Sequence, residues 1–186
     1  VEIGEDVEIE ANVIFEGNVK LGDKVQIKSN TIIKNSVISN GTEVKPYTII
    51  EDSLVGKNCN IGPFARIRPN CTLEESVGIG NFVEVKASNI KKNTKANHLT
   101  YLGDSDIGEN VNVGAGVITC NYDGVNKHKT VIKDNVFIGS DSQLIAPIIV
   151  EEGVTIAAGS TITDNSEKDS LLIARSRQQE KKNWKR

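Results

Sequence analysis

Ile, Leu or Val returns at nearly every sixth residue of this chain. These leads stand at 3, 9, 21, 27 and 33, then 38, 44 and 50, then 55, 61, 67, 73, 79 and 85, then 90 and 102, then 107 and 113. After a gap they resume at 132, 138, 144, 150, 156 and 162, and Phe15 and Ala96 fill the two remaining places. Four residues beyond the lead, most units carry a small or β-branched residue, among them Val7, Val25, Thr31, Cys59, Ala65, Val83 and Val154. A helix repeats at ~3.6 residues and a half-buried strand at ~2. A period of six predicts a short strand plus a corner, with three such sides closing a coil of about 18 residues.

Grouped in threes, the leads place every five-residue step (33→38, 50→55, 85→90, 102→107) after the third side, and the gap between Thr119 and Ile132 falls there too. A three-sided prism confines irregularity to one corner; imperfect sixes without a prism would scatter it. About nine coils spaced at ~4.8 Å predict a column roughly 40 Å long. The expected architecture is an all-β triangular-prism solenoid over residues 1–165, with a protruding loop at 119–131 and a short, basic, helical tail at 166–186. Each coil of a solenoid touches only its neighbours, so side-chain stacking can be read from the sequence.

Composition agrees with this reading: 4% aromatic residues suit short strands and tight turns better than packed helices. No stretch approaches the ~18 apolar residues of a membrane span, and no signal-peptide pattern opens the chain. No membrane partner is therefore expected, and the cytoplasm is the expected location. The chain begins at Val1, already inside the pattern, as expected of a piece of a longer protein. Three well-separated cysteines suit neither a disulfide framework nor a zinc site. Residues 175–186 hold six basic groups and one acid, and the net charge of −3 leaves −8 elsewhere. A basic tail on an acidic body is either a solvated end or a contact for an anion, phosphate or nucleic acid.

The stacking singles out two rows. Two places beyond the second-side lead stand His98, Ala115, Ser140 and Ala158. Three small residues above a histidine leave a shallow groove suited to a long, thin ligand. One place beyond the third-side lead, Arg68 and Lys86 are stacked. Two cations in register repel unless an anion lies between them, which points to phosphate, against the alternative that both are simply solvated. His98 is either a hydrogen-bonded surface residue or a base, since imidazole is the side chain suited to take a proton at physiological pH. Glu84 and Tyr101, last in successive second-side units, are placed to orient it or to line a pocket. The insertion "TCNYDGVNKHKT" opens on the turn signal Asn121-Tyr122-Asp123-Gly124, followed by Lys127, His128 and Lys129.

The segments "NHLTYLGDSDIGENVNVGAGVITCNYDG", "GPFARIRP", "GNFVEVK" and "IARSRQQ" resemble the glucosamine-1-phosphate N-acetyltransferase domains of the bifunctional bacterial enzymes that make UDP-N-acetylglucosamine. The resemblance runs over essentially the whole chain and implies a left-handed parallel β-helix of hexapeptide repeats. It implies His98 as general base, with Arg68, Lys86, Tyr101 and Asn112 holding the amino-sugar phosphate. Asn121 and Tyr122 are implied near acyl transfer, Ala115, Ser140 and Ala158 against acetyl-CoA, and Arg175, assisted by Lys127, at the cofactor's phosphates. Family members commonly carry Val-Pro after the tail arginine; Ser176-Arg177 here leaves open whether Arg175 or Arg177 does this work. The resemblance further implies a homotrimer with sites between columns, no nucleic acid, and Mg only in the uridylyltransferase domain that this chain lacks. A zinc enzyme of the carbonic anhydrase kind needs about three histidines, and this chain has 2. The competing readings are a relative acting on another phosphorylated amino sugar, and a non-catalytic oligomerisation or ice-binding scaffold.

Overall fold

A computed structural model describes residues 1–185. It contains 26 short strands, most of two or three residues, and their ladders are parallel. They lie on three flat sides and wind as a left-handed parallel β-helix. On the first side, strands join in the order of their coils from Glu2–Ile3 up to Ile148–Val150. The register advances by 17 or 18 residues per coil, as Lys20↔Val37 and Leu54↔Thr72 show, except where the insertion makes it Ile107↔Ile132.

The period of six follows from what points inward. The leads Ile27, Ile33, Ile38, Ile50, Ile61 and Ile67 are fully buried along the column axis, each stabilising it by about 1.5–3 kcal/mol relative to exposure. The second inward place, four residues on, has room only for Val19, Val25, Cys59, Ala65, Val83 or a hydroxyl residue. Several buried hydroxyls there are satisfied by backbone carbonyls, as when Thr42 Oγ1 donates to Gly56 O at 2.7 Å and Thr94 Oγ1 to Gly108 O at 2.7 Å, whereas the buried Thr48 Oγ1 has no partner among the described residues. At the corners the backbone turns left-handed, and Asn12, Asn30, Asn58, Asn93, Asn110 and Asn135 stand there, a residue that tolerates this conformation best after glycine. Three of these side chains reach the next coil: Asn12 Nδ2 donates to Asn30 Oδ1 at 3.4 Å, Asn93 Nδ2 to Asn110 Oδ1 at 3.1 Å and Asn110 Nδ2 to Asn135 Oδ1 at 3.3 Å. The five-residue steps turn through Asn35, Asp52, Ala87 and Asp104 instead.

Two strands differ from the rest. Gly78–Lys86 and Lys95–Gly103 each run nine residues, straight round the corner between the second and third sides, and pair from Gly78↔Lys95 to Lys86↔Gly103. These strands carry His98, Glu84, Lys86 and Tyr101. One coil further on, the insertion leaves from the corner between the third and first sides, flanked by Ile118–Cys120 and Thr130–Ile132.

The expected helical tail is not found. Leu171–Leu172 adds a rung of a partial tenth coil by pairing with Thr155–Ile156. The described residues beyond it form no helix. The reason lies in the sequence: Leu172 packs against the solenoid's upper end while Leu171 and Ile173 stay exposed, and from 176 onward Trp184 is the single apolar side chain, too little for an amphipathic stripe.

Candidate functional site

Parallel register turns the leads into vertical rows. Ala96 pairs with Val113, Val113 with Ile138, Ile138 with Ile156 and Ile156 with Leu172. Two residues further along each turn, His98, Ala115, Ser140 and Ala158 therefore follow one another up the corner between the second and third sides. Backbone bonds tie this corner together: Gly116 N donates to Leu99 O at 2.9 Å, Asp141 N to Ala115 O at 2.8 Å and Gly159 N to Ser140 O at 2.8 Å. Beside the row lie Gly114 and Gly139. A Cβ on Gly114 would meet Ser140 N at 2.6 Å, so glycine is what lets these coils close up. Arg175 passes over the top, with Cδ 3.8 Å from where a Cβ on Gly159 would stand.

His98 is exposed at the foot of this row, directly over Asn81. Its ring has no protein hydrogen-bond partner among the described residues. It borders an open cavity of about 260 Å³ lined also by Lys45, Gly62, Pro63, Asn81 and Asn97. Gly62 and Gly80, each one place beyond a lead, leave out the side chains that would fill it.

The cations on the third side are already balanced. Arg68 Nη1 donates to Glu84 Oε1 at 2.9 Å, and Lys86 Nζ to Asp104 Oδ2 at 3.3 Å. The Arg68 pKa lies above its ordinary value, through the Glu84 bond first. Lys86 is also raised, through its contact with Lys127 and then through Asp104, whereas the exposed Lys127 ammonium is pushed down by Lys86. Glu84 thus serves Arg68, while its strand neighbour in register is Tyr101. The Tyr101 ring lies across Gly103, where a Cβ would meet ring Cε1 at 2.8 Å. Gly103 and Asp104 are additions to the residues singled out in the sequence. The signal was present: Gly103 stands in the row of Arg68 and Lys86, and Asp104 is the left-handed residue of a five-residue step.

The insertion is an ordered hairpin. Asn121 is buried and donates from Nδ2 to Asp104 Oδ2, and its carbonyl accepts from His128 N at 2.7 Å. Tyr122 bridges to Lys127 and donates from its hydroxyl to Gly124 O at 2.6 Å. Asp123 caps the turn: Oδ1 accepts from Val125 N at 2.8 Å and Asn126 N at 2.6 Å, and Oδ2 meets His128 Nε2 at 2.7 Å. The His128 ring first, then these N–H groups, hold the Asp123 carboxyl well below the usual carboxylate range.

One column does not bring every candidate together. His98 and the small-residue row occupy the corner between the second and third sides. Arg68, Lys86 and the loop occupy the next corner. Asn112 stands near the remaining corner, in an open groove of about 520 Å³ with Ser76, Asn93, Lys95 and Asn110.

Residues 1–79 match the GMPPB C-terminal domain family, and residues 129–164 match the bacterial transferase hexapeptide (six repeats) family. The chain is similar in structure to the UDP-N-acetylglucosamine acyltransferase from Campylobacter jejuni, with TM-score 0.64 and 16% identity over 90% of this chain and 71% of that one. It is also similar to the UDP-N-acetylglucosamine acyltransferase of Francisella novicida, with TM-score 0.50 and 20% identity over 83% of this chain and 62% of that one. Fold and stacked rows together define a left-handed β-helix built of hexapeptide repeats. The hexapeptide match over residues 129–164 agrees with the hexapeptide-repeat acyltransferase resemblance read in the chain's motifs.

Proposed function

We propose that this chain is an acetyl-CoA-dependent N-acetyltransferase acting on glucosamine 1-phosphate, within UDP-N-acetylglucosamine and cell-wall precursor synthesis in the cytoplasm. The observation that carries this reading is the single corner row in which an exposed histidine stands beneath Ala115, Ser140 and Ala158, with Arg175 above.

An ammonium cannot attack a carbonyl, so a base must supply the free amine. His98, exposed and without a protein partner, takes that proton as the amine adds to the thioester carbon. The carbonyl oxygen becomes an oxyanion, and the Ala115 N–H, which has no protein acceptor among the described residues, is the donor placed to receive it. Loss of such a donor typically costs ~10²–10³ in rate. Collapse of the adduct expels the CoA thiolate and leaves the amide.

The acceptor's phosphate would lie on Arg68 and Lys86, which Glu84 and Asp104 keep aimed, with Tyr101 alongside. The groove over Ala115, Ser140 and Ala158 would take the pantetheine arm, Asn121 and Tyr122 would frame its thioester, and Arg175 with Lys127 would meet its phosphates. Asn112 reaches the same acceptor from another copy, because no single column gathers these corners. A homotrimer supplies that arrangement. Tyr47, Phe64 and Phe82, stacked at 4.9 and 5.3 Å and exposed beside His98's corner with Leu99, are the apolar surface it would bury. Thiol release from acetyl-CoA, measured across a panel of amino sugars with and without the 1-phosphate, tests the reading. Turnover with glucosamine 1-phosphate alone supports it, and equal turnover of unphosphorylated glucosamine overturns it.

A further inference from the structure

Asp104 makes two contacts that no other carboxylate in the column combines. Its Oδ2 accepts from Lys86 Nζ at 3.3 Å and from the Nδ2 of Asn121, the first residue of the loop. Its backbone carbonyl accepts from Thr130 N at 3.2 Å, where the loop returns to the column. The residue itself is set in the left-handed corner of a five-residue step, with φ 49°, so its side chain is aimed by the backbone. Two residues on, Asp106 pairs with Lys129 on the returning leg. Both legs of the loop are thus fixed to the strand segment that follows Lys86 by one coil.

We infer that Asp104 is a positioning residue, coupling the Arg68–Lys86 cation row to the loop that carries Asn121 and Tyr122. The inference rests on the acceptor-phosphate reading of that row. A carboxylate shared by the two elements holds the Lys86 ammonium in line with Arg68 and keeps the loop's first residue buried. Geometry held by such an outer contact lowers the ordering that binding must otherwise supply.

Asp104→Asn and Asp104→Ala separate the two contacts. The asparagine variant keeps an oxygen for Asn121 but removes the charge paired with Lys86; the alanine variant removes both. Two readouts are used: steady-state KM for each substrate, and the rate of trypsin cleavage after Lys127 and Lys129, followed by mass spectrometry. Asp104→Asn should leave loop cleavage within about twofold of wild type while raising the acceptor KM about tenfold. Asp104→Ala should speed loop cleavage about tenfold and raise both KM values, at a coupling of ordinary size. Melting temperatures identify any general loss of folding. An alanine variant whose loop cleavage and both KM values match wild type overturns the inference. A wild type that does not acetylate glucosamine 1-phosphate overturns the site reading instead, and the cleavage comparison still decides the Asp104–Asn121 contact.

Discussion

Arg68 donates to Glu84 at 2.9 Å, two residues back along the next coil, and one coil later Lys86 donates to Asp104 at 3.3 Å, one residue forward along the next coil. The cations that the sequence left facing one another are held apart and aimed, each by its own carboxylate. A pair as exposed as Arg68–Glu84, 38% and 37%, contributes little to stability, about 0–1 kcal/mol; its value is in fixing direction. Arg68→Ala should raise the acceptor KM by about tenfold or more, as expected for loss of a charge-assisted contact, while leaving that for acetyl-CoA within about threefold. Equal effects on both substrates in steady-state kinetics would count against a phosphate on this row.

Glycine and alanine have different tasks along the His98 corner. Gly139 has no room, since a Cβ there would approach Ala158 Cα at 2.8 Å, whereas Ala158 itself is exposed. Gly139→Ala should therefore cost about 1–3 kcal/mol by overpacking, lowering the melting temperature by several degrees. Ala158→Leu should leave the melting temperature within about two degrees and raise the acetyl-CoA KM about tenfold by filling the groove. Calorimetry on both variants, with kinetics on the second, separates the two roles.

The loop's order depends on pH through Asp123. Its carboxyl pKa is depressed in the folded chain, so its contribution is complete above the unfolded value of about 3.9 and is lost as pH falls through the folded value. Hydrogen exchange at Val125 and Asn126, corrected for intrinsic rates, should show unchanged protection from pH 8 down to about 5 and loss only under strong acid. Asp123→Asn should reduce this protection already at pH 7, since it weakens the tie to His128.

The exposed ladder Tyr47–Phe64–Phe82 stands at left-handed corner positions, where folding alone gives no reason to place large aromatic rings. If copies meet there, Phe82→Asp should convert a trimer of the chain to monomer without unfolding it. Light scattering coupled to size exclusion reads the mass directly, and a variant that remains trimeric would remove this corner from the interface.

Much of this column was legible in advance because its period is a geometric fact: each lead must point inward, and one skipped residue displaces every later row. The same arithmetic located His98, its small-residue row and the Arg68–Lys86 pair. It did not foresee that Glu84 would turn to Arg68 rather than to His98, or that Asn121 would be drawn under Asp104, because both depend on side-chain reach between coils and not on register. The tail failed for another reason. A helical tail was expected over 166–186, but Leu171–Leu172 pairs with the column's upper end, and from 176 onward Trp184 alone is apolar, too little to hold a helix.

His98 is the proposed base, and thiol release from acetyl-CoA with glucosamine 1-phosphate as acceptor tests that role most directly, comparing wild type with His98→Ala. Because the ring is exposed and has no protein partner, the variant should fold and assemble as wild type does, within about 0.5 kcal/mol. Its kcat should fall by about 10²–10⁴, as for a missing general base. A correctly folded His98→Ala that retains wild-type turnover would contradict the account.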